Sequence, residues 1–212
     1  AIPETSRDVF SPAEHGEPRH PRLNVGNHIL ADPGLPDLGV EIYLSHAQAE
    51  TIRCVMLSPP GCVRLVVLPT GSGKSLVGLS AALAGPAKAG GLTISVVPTI
   101  ALAFDQMEQA RTHSPGDKER IDAWRSGMDP SVSDAIRERI RAGQQRVLYV
   151  SPESLVGKLR KDVTEAASRG YLSALIIDEA HLVTQWGASF RPEFQTLTAL
   201  WRNLRAACPE GR

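Results

Sequence analysis

Residues 64–75 read RLVVLPTGSGKS. A short β-branched run, Arg64 to Leu68, leads into a turn carrying Gly71 and Gly73. Beyond Lys74 and Ser75 the chain continues with helical spacing from Leu76 to Ala84. Strand, glycine turn and helix in that order are the context a phosphate-binding loop needs. Glycines let backbone N–H groups turn inward on a phosphate, and the helix N-terminus adds its dipole. In such a loop Lys74 reaches the β and γ phosphates and the Ser75 hydroxyl ligates Mg²⁺. Leu68 stands where the strict pattern has its first glycine. Taken alone, the stretch could also be a glycine turn beside a surface lysine.

A second stretch, ALIID (174–178) followed by Glu179, weakens that alternative. It has the apolar continuity of a buried strand, and it ends in an acid able to hold the Mg²⁺ shell of a bound nucleotide. Glu179 can orient and deprotonate the attacking water, the task of a general base. A solvated strand edge would account for two acids but not for both halves of a nucleotide site. A bound nucleotide with Mg²⁺ is therefore expected.

Between and around these stretches, apolar runs alternate with helical patterns. HAQAETIRCVML (46–57), IALAFDQMEQA (100–110), SVSDAIRERIRAG (131–143) and KDVTEAASRG (161–170) have helical spacing, the third capped by serine and closed by Gly143. LTISVV (92–97) and RVLYV (146–150) are buried strands. Pro192 suits the first turn of a last helix, with Phe194, Leu197, Leu200, Trp201 and Leu204 on one face. Alternation of this kind predicts an α/β fold, a parallel β-sheet with helices on both faces. Residues 1–40 carry six of the sixteen prolines and little periodicity. They are expected to form a Pro-rich extended N-terminal arm, with the folded domain over 41–212.

Composition narrows the setting. Twenty-three basic and 23 acidic residues give a formal net charge of zero, so no global field advertises a polyanion partner, although a local stripe is enough for phosphate contacts. Cys54, Cys62 and Cys208 follow no metal-ligand spacing and suit a reducing cytoplasm. No apolar run approaches the ~20 residues a membrane-spanning helix needs, so no membrane partner is expected. The chain begins without methionine, as a piece of a longer protein would.

PTGSGKS followed by DEAH (178–181) resembles the superfamily 2 helicases. The order of the other motifs agrees: VVPTIALAFDQ (96–106) resembles their motif Ia and YVSPESL (149–155) their motif Ib. The resemblance implies the first RecA-like motor domain of a P-loop NTPase, with nucleotide held by Thr70, Gly71, Ser72, Gly73, Lys74 and Ser75. It implies Mg²⁺ at Ser75 and Asp178, catalytic roles for Lys74, Glu179 and His181, and DNA contacts at Pro98 and Thr99. Gln48, in YLSHAQAETI, resembles the glutamine that reads the adenine edge; on its residue type alone it could equally be a helix surface residue.

QWGASFRPEF (185–194) is similar to the aromatic-rich loop of RecQ-type DNA helicases. That similarity implies that Trp186, Phe190 and Arg191 contact single-stranded DNA and signal its presence to the ATP site. Aromatic faces stack on any base and arginine pairs with phosphate, so such a contact tolerates sequence. Phe194 and Trp201 are assigned to the helix core instead. Ser45, Ala101, Phe104, Ser154 and Ala188 depart from the family pattern, which marks a divergent RecQ-like chain.

The expected function is thus an ATP-dependent DNA helicase or translocase acting on single-stranded or partly duplex DNA. The resemblance implies that arginines of a second RecA-like domain complete the site, so these 212 residues alone are expected to be nearly inactive. The alternatives are an ATP-controlled nucleic-acid scaffold without unwinding, and a DEAH-type RNA helicase.

Overall fold

The computed structural model describes residues 24–25, 28–84, 91–181 and 192–209. At its centre are four parallel strands, β4 (Leu92–Val96), β5 (Ile121–Ala123), β6 (Val147–Val150) and β7 (Leu172–Ile177), in the order β5-β6-β4-β7. Parallel neighbours need crossovers, and helices supply them. α3 (Ile100–His113) joins β4 to β5, α4 (Pro130–Arg141) joins β5 to β6, and α5 (Pro152–Val156) with α6 (Arg160–Ser168) joins β6 to β7. α1 (His46–Met56) and α2 (Lys74–Leu83) precede the sheet, and α7 (Pro192–Ala207) follows it.

Strand alternation divides the interior into two cores. Leu92, Ile94, Val96, Leu148 and Val150 face one side and pack with Ile136 and Ile140 of α4, Leu155 of α5, Val163 of α6 and Leu197, Leu200 and Leu204 of α7. Val147, Tyr149, Ile121 and Ala123 face the other, against Ala49 and Ile52 of α1, Val77 of α2 and Ala103 and Met107 of α3. Helices therefore cover both faces, as the alternating pattern predicts. Leu197, Leu200 and Leu204 are buried as expected; Trp201 is half-buried beneath the Arg205 guanidinium, 5.5 Å from its ring centre. No helix among the described residues is long and apolar enough to cross a membrane.

The structure departs from the sequence expectations at three places. RLVVL (64–68) lies outside the sheet: Leu65 and Val67 are each 81% exposed, while Val66 and Leu68 pack on the second core. A run expected to be covered on both faces is covered on one only. α4 begins earlier than its serines indicated, with Asp129 as the cap accepting from Ser131 N at 2.8 Å and Pro130 in the first turn. The carboxylate and the proline together outcompete Ser131 as a starting point.

The third departure concerns the stretch before residue 41. β1 (Asn24–Val25), β2 (His28–Leu30) and β3 (Ile42–Tyr43) form a small antiparallel sheet, and Ile29, Leu35 and Leu38 belong to the second core. Asp32 ties this segment to α1: it accepts from Arg53 Nε at 2.6 Å, from Arg53 Nη2 at 2.9 Å and from the Tyr43 hydroxyl at 2.7 Å. Residues 28–40 are thus part of the folded unit, and the boundary expected at 40 falls inside it. Residues 1–23 lie outside the described residues.

Candidate nucleotide site

The phosphate loop takes its shape from two glycines. Gly71 and Gly73 both have φ +79°, a left-handed conformation that side-chain-bearing residues adopt only with strain. Gly73 stands immediately before α2, and no side chain caps that helix. First-turn N–H groups of α2 are consequently left for a ligand, the arrangement that favours an anion. Thr70, Lys74 and Ser75 are exposed at this turn, and Ser72 Oγ donates to Pro69 O at 2.6 Å, which braces the loop internally.

Gln48 sits behind the loop. Its side chain is fully buried, Oε1 accepting from Leu44 N at 2.8 Å and Nε2 donating to Gly73 O at 3.3 Å. A helix surface residue it is not. Any side chain at position 73 would collide with its carboxamide, so glycine is needed there for close approach as well as for φ. Ser45 caps α1 by accepting from Gln48 N at 3.1 Å. Each end of the carboxamide has one protein partner, which fixes its orientation and leaves one lone pair on Oε1 and one N–H on Nε2.

A cleft of about 560 Å³ opens beside the loop, lined among others by Ile42, Leu44, Gln48, Gly73, Ser75 and Gln106. Its size suits a nucleotide-sized ligand. The acid pair lies at the same end of the sheet. β7 ends at Ile177 and the pairing with β4 runs one bond further, Asp178 N to Val96 O at 2.9 Å. Asp178 Oδ1 accepts from Glu179 N at 2.9 Å, and Oδ2 accepts from Gln106 Nε2 at 3.1 Å. Gln106 therefore reaches both the cleft and the acid. Glu179 has φ +52°, the sole positive value on a non-glycine among the described residues. Its exposed carboxylate lies 3.1 Å from His181 Nδ1.

Pro98 and Thr99 follow β4 on the same edge of the sheet. Thr99 caps α3, its hydroxyl accepting from Leu102 N at 3.3 Å. Ser154, in the stretch that resembles motif Ib, is buried against its cap Ser151 and presents no surface for a nucleic acid. Trp186, Phe190 and Arg191 lie outside the described residues. Two participants were not singled out from the sequence: Gln106 and Leu44, whose N–H is the partner that orients Gln48. Neither carries a signal by residue type; both depend on contacts that only the fold creates.

Among the described residues, no group of three or more His, Cys, Asp or Glu is placed to hold a metal. Mg²⁺ binds through few protein oxygens while substrate phosphates and water complete its shell. Asp178 and Ser75 are oxygen donors at this end of the sheet, beside Glu179 and Thr99, and α2, which carries Ser75, packs on β7.

Comparison with known proteins places this arrangement. The chain is 35% identical over 171 residues to the ATP-dependent DNA helicase RecQ of Synechocystis, covering 76% of this chain and 31% of that protein. It is 36% identical over 148 residues to the ATP-dependent DNA helicase Q5 of Mus musculus, covering 67% of this chain and 14% of that protein. It thus spans less than a third of the length of these relatives. The fold is similar to that of the DEAD-box helicase Mss116 bound to ssRNA and UDP-BeF, with a TM-score of 0.57 at 17% identity, covering 86% of this chain and 36% of that one. The DEAD/DEAH box helicase family matches residues 45–209, which hold the glycine turn, the acid pair and the sheet that joins them; with RecQ-like helicases among its relatives, the chain is a member of the DEAD/DEAH box helicase family.

Proposed function

We propose that the chain is the ATP-binding motor domain of a DNA helicase, coupling ATP hydrolysis to movement on single-stranded DNA. One observation carries the reading: Gln106, which lines the cleft with Gly73 and Ser75, also bonds Asp178. Loop and acid pair are thereby two sides of one site. The nucleotide's phosphates lie on the first turn of α2 with Lys74 countering their charge, and Thr70 and Ser72 frame the loop. Ser75 and Asp178 would hold Mg²⁺, which would supply charge neutralisation for the bound phosphates. Glu179 accepts the proton of the attacking water, and His181 holds the Glu179 carboxylate in place from 3.1 Å. Gln48 supports the loop and stands where an adenine edge would be read. Arginines from a second RecA-like domain complete the transition-state charge.

Single-stranded DNA runs along the end of the sheet that bears Pro98 and Thr99, with Trp186 and Phe190 stacking on bases and Arg191 on phosphate. The DNA preference rests on the similarity to RecQ helicases at these residues. ATP turnover by the full-length protein, titrated with single-stranded DNA and separately with single-stranded RNA, tests it. DNA should stimulate turnover severalfold, and Trp186→Ala or Arg191→Ala should lose most of that stimulation. Each stacked base is worth about 1–3 kcal/mol, so the half-saturating DNA concentration should rise roughly tenfold or more. Stimulation by RNA alone would favour an RNA motor, and stimulation by neither a scaffold.

A further inference from the structure

Asp178 is held at both oxygens by groups of different origin. Oδ1 accepts from its neighbour's backbone, Glu179 N, at 2.9 Å. Oδ2 accepts from Gln106 Nε2 at 3.1 Å, a side chain 72 residues away in sequence on α3. The next glutamine on that helix, Gln109, turns back to Asp105 at 3.0 Å, so the reach to β7 is particular to Gln106.

We propose that Gln106 is a positioning residue for the metal site: it sets the rotamer of Asp178 so that the remaining lone pairs meet Mg²⁺. This rests on the assignment of Asp178 to the Mg²⁺ shell. The chemistry favours an amide in this place. A lysine or arginine would fix the carboxylate equally well but would neutralise it and compete with the cation. A carboxamide N–H orients the carboxylate and leaves its full negative charge available. Hydrogen-bond partners of metal-binding carboxylates typically contribute about 10–100-fold in metal affinity. Because Thr99 caps α3, the helix that follows the residue assigned to nucleic-acid contact also holds the metal-binding acid.

The test is the Mg²⁺ dependence of binding of a fluorescent, non-hydrolysable ATP analogue to the full-length protein. The half-saturating Mg²⁺ concentration is measured for the parent, Gln106→Met, Gln106→Ala and Asp178→Asn, together with analogue affinity in excess EDTA. Gln106 is only half-buried, so methionine, of similar length and helix preference, should preserve folding; the melting temperature of each variant checks this. Both Gln106 variants should require about tenfold more Mg²⁺, a larger change than in metal-free affinity, where Gln106 counts only as one lining residue of the cleft. A purely structural role would lower the melting temperature and both affinities together, and would overturn the proposal. So would an unchanged Mg²⁺ requirement in Gln106→Met when Asp178→Asn raises it. If Asp178→Asn leaves the requirement unmoved as well, the assignment of Asp178 to the metal fails first, and the role of Gln106 falls with it.

Discussion

Glu179 combines an exposed carboxylate with a left-handed backbone, φ +52°. For a residue with a Cβ that conformation costs about 1–2 kcal/mol, and strain of this kind persists where the surrounding structure over-determines it. Asp178 N is tied to Val96 O on one side and Asp178 Oδ1 holds Glu179 N on the other, which is how the turn is enforced here. Removing the Cβ should relieve the strain at the expense of chemistry. Glu179→Gly is expected to be about 1 kcal/mol more stable than Glu179→Ala in denaturant unfolding, with catalysis lost in both. Equal stabilities, or a less stable glycine variant, would show that the left-handed turn stores nothing. Gln106 escapes a sequence reading, and the residue type of Gln48 leaves it open between site and surface, for the same physical reason. Each is a polar residue on a helix, the type that pattern assigns to solvent. Each is withdrawn from it by a partner far along the chain, Gly73 for the first and Asp178 for the second.

The runs 92–97, 146–150 and 174–178 were legible as strands because Val, Ile and Leu dominate each of them, with Thr93, Ser95, Arg146 and Asp178 as polar exceptions, and helices cover both faces of the sheet. β5 and the hairpin strands have two or three residues each, too few to carry any period. RLVVL has the composition of a buried strand, yet composition does not say whether a second face will be covered. The helices were legible from their 3.6-residue spacing, and the misplaced start of α4 came from favouring a serine over the Asp129–Pro130 pair. β6 makes a pH prediction. Burial pushes the Tyr149 phenol up to about 12 from an ordinary value of 10.0, and desolvation with the Asp32 hydrogen bond does the same for Tyr43. Because the folded values are raised, their stabilising effect is complete below pH 10 and is lost as pH climbs through about 12, the unfolded chain ionising first. Tyr149→Phe, which cannot ionise, should show a shallower loss of stability over this window in denaturant titrations. An identical slope in parent and variant would contradict the assignment.

At the scale of the whole molecule, one edge of the sheet gathers what four separated stretches of chain provide. The phosphate loop opens α2, Pro98 and Thr99 follow β4, Gln106 reaches across from α3, and Asp178 and Glu179 follow β7. Ligands of parallel α/β sheets bind outside the carboxyl ends of their strands, and the two cores hold that edge rigid from both faces. Phosphate binding and water activation are nevertheless assigned to different residues, so they are separable. The direct test measures ATP binding and ATP turnover independently in the full-length protein, the parent beside Glu179→Gln. The amide keeps the size of the side chain and one acceptor oxygen but cannot accept the proton of the attacking water. Binding should stay within about threefold of the parent, whereas turnover should fall by about 10²-fold or more, the usual contribution of a general base. Turnover at the parent rate by Glu179→Gln would contradict the account, since the water would then be activated elsewhere and the edge of the sheet would not be the catalytic centre.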